Sequence, residues 1–476
     1  MSAVEAVGIR RARVSLAVAA IASLCGFGAV PADAAPRATF SVLIPIVASG
    51  SSTELIAADT LTALASPGGS WAELTSSAIS HGATIAIDSR IVASITALGG
   101  DSPAASAWLE SVTRSRPIYL PWGNADPFLL AATGPSYRVS AIQLSDISGI
   151  AAADIVGWPT GRAGNSQSPR SAEKLGFGRL IADDETFPSL ANTYSASASA
   201  AIAKAVAPGS GVDPATVATH LHNSSTGRLA IVLPRDPGSV DGQRAVAFLN
   251  ALYSGSARAS RFVPAEVPSD TAVTLHDVPD AAIRALMSQH RLDRQVSEMA
   301  LDPRVISTPR LRRLCVIAGL VATNRFPTAV RGYVRTARTY EEFVSFSLGS
   351  GFTVLANSTE LPLTVTNISA TDLSVVASVD AVSGIVSISK PSQTIMIPSG
   401  SSAQVTVPMV SVANGKTSLR ATLATTSGIV ISEPVFIEID VQAQWESVTL
   451  VTFVAIVASI MAIGVARTIR DRRRRS

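Results

Sequence analysis

The chain has 476 residues, 47% hydrophobic, 15% charged and 5% aromatic, a balance that excludes a disordered polymer and allows two or three folded domains. Its formal net charge of +3 resides at the two ends, because residues 467–476 contribute +5 and residues 1–34 contribute +1, leaving about −3 elsewhere. That distribution excludes a basic surface for nucleic acid.

The first 34 residues read as a secretory leader. Arg10, Arg11 and Arg13 precede an apolar stretch over 14–30, and Ala32-Asp33-Ala34 offers small residues where a signal peptidase reads. Cleavage is expected after Ala34. Lipidation at Cys25 fits poorly, because the bulky Leu24 precedes it. Cleavage removes Cys25 and leaves Cys315 alone, so no intramolecular disulfide is expected. Cys315 lies in an apolar run and reads as a small buried hydrophobe.

Residues 40–47 are continuously apolar, as in a buried parallel strand. Helical spacing follows over 55–64, broken by Pro67-Gly68-Gly69, and again over 71–79. The rhythm repeats with a strand over 84–87 ending in Asp88, then helices over 90–98 and 103–113, the latter with Ser102 as cap. A strand over 116–121 leads into Trp122, Gly123, Asn124, Ala125 and Asp126. Short strands are expected over 154–158, 180–182 and 228–233, and an amphipathic helix over 242–253. Strands alternating with helices imply a parallel sheet, open or closed into a (β/α) barrel-like domain over 35–278.

From 279 to 350 the spacing is helical, a connector. Eight short, often alternating runs fill 351–443, the pattern of an immunoglobulin-like β-sandwich of the disulfide-free kind. Residues 448–466 carry no charge and span roughly 28 Å as a helix, about the thickness of a bilayer core. Arg467, Arg470 and the run 472–475 follow at once and place the tail 467–476 on the cytoplasmic side, with everything earlier outside. Trp445 suits an interfacial anchor. The fold class is thus multidomain, α/β plus all-β, with one C-terminal transmembrane helix.

Four acidic positions follow expected strands: Asp88, Asp126, the Asp183-Asp184-Glu185 cluster and Asp236. In a barrel such positions gather at one face, and two carboxylates across a groove can serve as acid and base on a glycosidic bond. The candidate catalytic set is Asp88, Asp126 and Asp184. The plainer role is capping the following helix or making a turn. Trp122 and Trp158 also follow strands and could stack on sugar rings, or pack in the core. His220 and His222 could share one face of a strand, but their surroundings read as an exposed loop and no His-x-x-x-His spacing occurs. No metal and no cofactor are expected. The chain has neither a Gly-x-Ser-x-Gly elbow nor a P-loop.

The stretches at 42–47, 66–69, 85–99, 106–110, 122–127, 361–367 and 412–415, with Gln-Ala-Gln-Trp-Glu-Ser-Val before the span, together resemble an uncharacterised actinobacterial family of envelope proteins, a domain of unknown function. The resemblance implies a secreted, single-pass protein with a sugar-hydrolase- or deacetylase-like barrel before a β-sandwich, often encoded beside the lipid II flippase. It brings no reaction with it. The leading expectation is a non-catalytic or accessory envelope protein whose partners are the membrane lipid bilayer and either cell-wall glycan or an envelope membrane protein. The alternative is a carbohydrate-active hydrolase or deacetylase working through the strand-end carboxylates.

Overall fold

A computed structural model describes residues 38–48, 55–132, 149–151, 154–160, 177–225, 227–254, 257–266, 280–321, 323–347, 351–442 and 445–474. The leader expected over 1–34 lies outside the described residues.

The first unit contains β1 (Thr39–Ile46), α1 (Ala58–Ala65), α2 (Ser70–Ser80), β2 (Thr84–Asp88), α3 (Ser89–Leu98), α4 (Pro103–Arg114), β3 (Ile118–Leu120) and α5 (Pro127–Ala132). It continues with β4 (Arg179–Leu180), α6 (Ala196–Val206), α7 (Pro214–Ser224), β5 (Arg228–Val232), α8 (Gly242–Leu252), β6 (Arg258–Ala259) and β7 (Ala265–Glu266). Five strands make a parallel half-barrel sheet in the order β3-β2-β1-β5, with β6 on the start of β1. Leu43 pairs with Thr84 on one side of β1 and with Val232 on the other. β2 is buried at all five positions and β1 at six of eight. A strand covered on both faces must be apolar on both, which is why these runs do not alternate.

Hydrogen bonds continue past the sheet edge. Val156 N–H donates to Tyr119 O (2.8 Å), Ile181 N–H to Gly157 O (2.8 Å), Tyr194 N–H to Ala182 O (2.9 Å) and Ser195 N–H to Ala230 O (2.9 Å), which returns to β5. The helices pack by their apolar stripes. α4 buries Ala105, Trp108 and Val112, and α8 buries Ala245, Phe248, Leu249 and Leu252. Trp108 stacks on Trp71 at 5.5 Å and donates its indole N–H to Thr75 Oγ1 at 3.0 Å.

Two local expectations change. Ser102 precedes α4 but makes no cap bond; its hydroxyl pairs with Thr62 Oγ1 at 2.8 Å. His220 and His222 stand in the last turns of α7 and not in a loop. Residues two apart on a helix do not face each other, so these imidazoles diverge.

Three helices follow: α9 (Asp280–Ser297), α10 (Arg304–Ala318) and α11 (Phe326–Thr336). Then come β8 (Val344–Ser347), β9 (Phe352–Val354), β10 (Ser358–Asn367), β11 (Leu373–Ala381), β12 (Val386–Ile388), β13 (Ser392–Ile397), β14 (Ser402–Ser411), β15 (Gly415–Thr425) and β16 (Val435–Val441). They form two sheets, β12-β14-β10-β8 and β13-β11-β15-β16-β9. Inward residues alternate with outward ones, as at Leu361, Leu363 and Val365, and both sheets contribute to one core. All eight runs expected here are strands, and β8 adds a ninth from inside the expected connector.

α10 is buried nearly all round, which marks a helix between two packed bodies. Its Ile306 joins the core of the two-sheet unit, whereas Leu311, Leu314 and Val316 join the core beneath the parallel sheet. The end of α9 and its loop pair with β11, through Leu301 N–H to Asp372 O (2.9 Å) and Ser374 N–H to Met299 O (2.8 Å). Asp293 of α9 accepts from Gln289 (2.9 Å), Tyr340 (2.7 Å) and Tyr333 (3.2 Å), so its buried charge is hydrogen-bonded on both oxygens.

The last helix, α12 (Trp445–Arg473), contains Val451–Arg473, with a mean hydropathy of 2.0 and none of its apolar window buried in protein. It is long and apolar enough to cross a membrane.

Gly319 ends α10 against the loop after β3. A Cβ there would collide with the Gly123 carbonyl oxygen, and a Cβ on Gly123 would come within 2.6 Å of Val316 Cα. Gly319→Val should therefore destabilise the protein by about 3 kcal/mol, read as a lowered thermal midpoint. Gly332→Ala, with open space around it, is the control. An unchanged midpoint for Gly319→Val would refute the close packing.

Candidate functional site

The parallel strands end on one side, where ligand crevices of open α/β sheets form. Here that side is closed by α10. Asp88 ends β2 and is fully buried. Its Oδ1 accepts from the backbone N–H groups of Arg90 (2.9 Å) and Gly123 (2.9 Å). One oxygen thus caps α3 and pins the loop after β3. Its Oδ2 is buried with no hydrogen-bond partner among the described residues. Burial pushes the Asp88 carboxyl up to about 6, despite the opposing pull of those N–H groups and the Arg90 charge.

Asp126 follows β3 and is also fully buried. Oδ1 accepts from Phe128 N–H (2.9 Å) and Leu129 N–H (3.0 Å), at the start of α5. Oδ2 accepts from the N–H and hydroxyl of Thr160, each at 2.7 Å. Four donors occupy the four acceptor positions of a carboxylate. Asp126 therefore holds a helix start to the segment beyond the next strand-like stretch.

Asp184 lies apart from these two. It is exposed, and its Oδ1 accepts from Ala196 N–H at 2.8 Å, at the first residue of α6. Asp236, after β5, accepts from Gly238 N–H (3.2 Å) and pairs with Arg325 Nη2 (3.1 Å).

Trp122 is fully buried, and the Arg312 guanidinium of α10 sits 5.1 Å over its ring. Trp158 is buried as well, with Arg235 at 5.5 Å over its ring. Neither indole face is open to a sugar in this arrangement. Arg235 Nη1 donates to Trp158 O (2.6 Å), and Nη2 donates to Asn124 O. Burial lowers the Arg235 guanidinium to about 10, while Asp126, Tyr194 and Asp88 favour its charge. Burial likewise lowers Arg312 to about 10. The buried aspartates thus lie in the field of Arg235, which also covers Trp158, while Trp122 lies under Arg312.

Beside this sealed centre a cavity of about 360 Å³ opens between the ends of β1 and β5 and the C-terminal end of α10. No group of three or more His, Cys, Asp or Glu among the described residues is arranged to hold a metal ion.

Sequence reasoning missed Arg235, Arg312, Asn124 and Gly319. Arg235 could have been found, because it stands inside a Pro-Arg-Asp-Pro turn at a strand end. Asn124 follows Gly123, and both take left-handed φ, at 51° and 64°. The Gly-Asn pair is the signal for such a turn.

A family described as a family of unknown function (DUF6049) matches residues 248–476, a little under half of the chain. The match takes in α10 and everything after it, and leaves Asp88, Asp126 and Arg235 outside. No curated protein matches. Among solved structures, native alpha-2-macroglobulin of Escherichia coli, from domain MG7 to the C-terminus, is 19% identical over 21% of this chain and 16% of that chain, with a TM-score of 0.18. The PapD-like domain 7 of human CEP192 is 12% identical over 21% of this chain and 84% of that one, with a TM-score of 0.17. WR4, a Caenorhabditis elegans MSP family member, is 6% identical over 21% and 97%, also at 0.17. At such scores these likenesses carry no weight for fold or function.

The raised Asp88 pKa has a definite sign. Its folded value exceeds the unfolded one, so the folded state holds more protons between about pH 4 and pH 6. The Asp88 contribution to stability therefore falls as pH rises through that window, by on the order of 2–3 kcal/mol. Asp88→Asn keeps an oxygen for the cap and removes this slope. Denaturation midpoints from about pH 4 to pH 7 should fall more steeply for the wild type than for the variant; parallel curves would refute the shift.

Proposed function

We propose that this chain is a non-catalytic, single-pass protein of the bacterial cell envelope, acting as an accessory or binding subunit. In this reading the parallel-sheet unit is a (β/α) barrel relic, which the hydrogen bonds running from β3 through Ile155, Gly157, Ala182 and Tyr194 back to β5 support. The two-sheet unit is an immunoglobulin-like stalk, supported by its alternating burial and shared core. α12 is the anchor, with the Arg-rich tail in the cytoplasm and the folded units outside, supported by the arginines that follow the apolar run.

The observation that carries the non-catalytic reading is the covering of the strand ends by α10. A general acid must reach the bond it protonates. Asp88 and Asp126 are fully buried beneath that helix; one oxygen of Asp88 caps α3 and holds Gly123, and both oxygens of Asp126 are taken by the start of α5 and by Thr160. Asp184 is exposed and holds the first residue of α6 through Ala196 N–H. With Trp122 and Trp158 buried too, the reading favours a protein partner over glycan stacking at those rings.

Two measurements test this. Full-length protein in lipid nanodiscs, incubated with purified cell-wall glycan, should release neither reducing ends nor acetate above background. Release that disappears in Asp126→Asn would overturn the proposal. In intact cells, added protease should digest the folded units and leave a C-terminal tag untouched; digestion of the tag would reverse the orientation.

A further inference from the structure

The cavity beside the sealed centre has a composition that neither a core nor a plain surface dip requires. Its apolar lining is formed by Val47 after β1, Val316 of α10 and Leu320 in the turn that follows α10. Its polar lining carries Arg235 and Arg325 against a single acid, Asp236. Arg325 is paired with Asp236, whereas the hydrogen bonds of Arg235 go to backbone carbonyls, and Asp126 and Asp88 favour its charge without bonding it.

The two arginines differ in a useful way. Arg325 is half-exposed at the rim and uses Nη2 on Asp236 at 3.1 Å. Arg235 is fixed by two backbone carbonyls and stacked on Trp158, and its Nε has no partner among the described residues. A guanidinium held in place loses little entropy on meeting an anion. Burial disfavours its charge, and an incoming anion adds to the support that Asp126, Tyr194 and Asp88 already give. At the floor lies Asn124, which is 1% exposed and whose side-chain amide has no partner on either atom among the described residues. An unpaired buried amide is a costly group that an amide-bearing ligand could satisfy. The volume of about 360 Å³ falls at the small end of ligand sites.

We infer that this cavity binds a small carboxylate that carries an amide and an apolar body, such as the C-terminal end of a short apolar peptide. The carboxylate meets Arg325 and Arg235, the apolar groups lie on Val316 and Leu320, and the amide reaches Asn124. This deepens the binding-subunit reading and rests on it only in taking the strand-end centre as closed to catalysis.

The test uses full-length protein in nanodiscs and N-acetyl-dialanine as probe, followed by ligand-observed NMR. Wild type should give saturation transfer, weakened about tenfold when the probe carboxylate is amidated. Arg325→Gln, at the exposed rim, should weaken binding by a similar factor, and Leu320→Trp, which fills the cavity from its half-buried wall, should abolish it. No binding by wild type overturns the inference, as does binding that survives both amidation and Leu320→Trp. The same spectra report cleavage. Free acetate or alanine that vanishes with Leu320→Trp would support the site while overturning the non-catalytic reading, so the two failures are distinguishable.

Discussion

The approach of Gly319 to Gly123 sets the character of the parallel-sheet unit. Neither residue can carry a side chain without collision, and because neither does, the end of α10 lies directly on the loop after β3. Water is thereby removed from the end of β2 and from the loop after β3, while a cavity stays between the ends of β1 and β5. Asp88 and Trp122 become fully buried, and Arg312 and Arg235 are drawn over indole rings. The upward shift of Asp88 and the downward shifts of both arginines share that one cause. A face that open α/β proteins use for ligands is here a polar layer inside the protein, tied mostly to backbone groups.

Much of this was legible in the chain. The continuous apolar runs of β1 and β2 announced strands covered on both faces, and the alternation around Leu361, Leu363 and Val365 announced sheets with one wet side. The aspartates were correctly placed at strand ends, yet their role was not readable. A cap and a general acid occupy the same sequence position; what separates them is the structure lying above. That cover is α10, which begins at Arg304, far along the chain from Asp88, so no local pattern could reveal it. The helices α6 and α7 escaped for a different reason. The Ala- and Ser-rich α6 and the Thr- and His-containing α7 have little apolar contrast. Asp213 before Pro214, whose carboxylate caps α7 through Ala215 and Thr216, was the available signal.

The two units differ in how they satisfy polar groups. The parallel-sheet unit buries charged side chains and meets them with backbone donors and acceptors, as Asp126 and Arg235 show. The two-sheet unit has an almost wholly apolar core, with Asn367 as a buried exception whose amide bonds Thr371 O (2.8 Å) and Ile397 O (3.0 Å). The first design carries the pH dependence that follows from the raised Asp88 carboxyl.

α10 has one further consequence, which is mechanical. Its first turn is rooted in the core of the two-sheet unit, through Ile306, and its last turns form the cover over the loop after β3. Between them runs one helix that contains Pro309, with Arg310 clamped to the carbonyls of Ala337 and Thr339 and to Glu342. A displacement of the two-sheet unit relative to the parallel-sheet unit must therefore disturb one packed helix, whose last turn also lines the cavity through Val316.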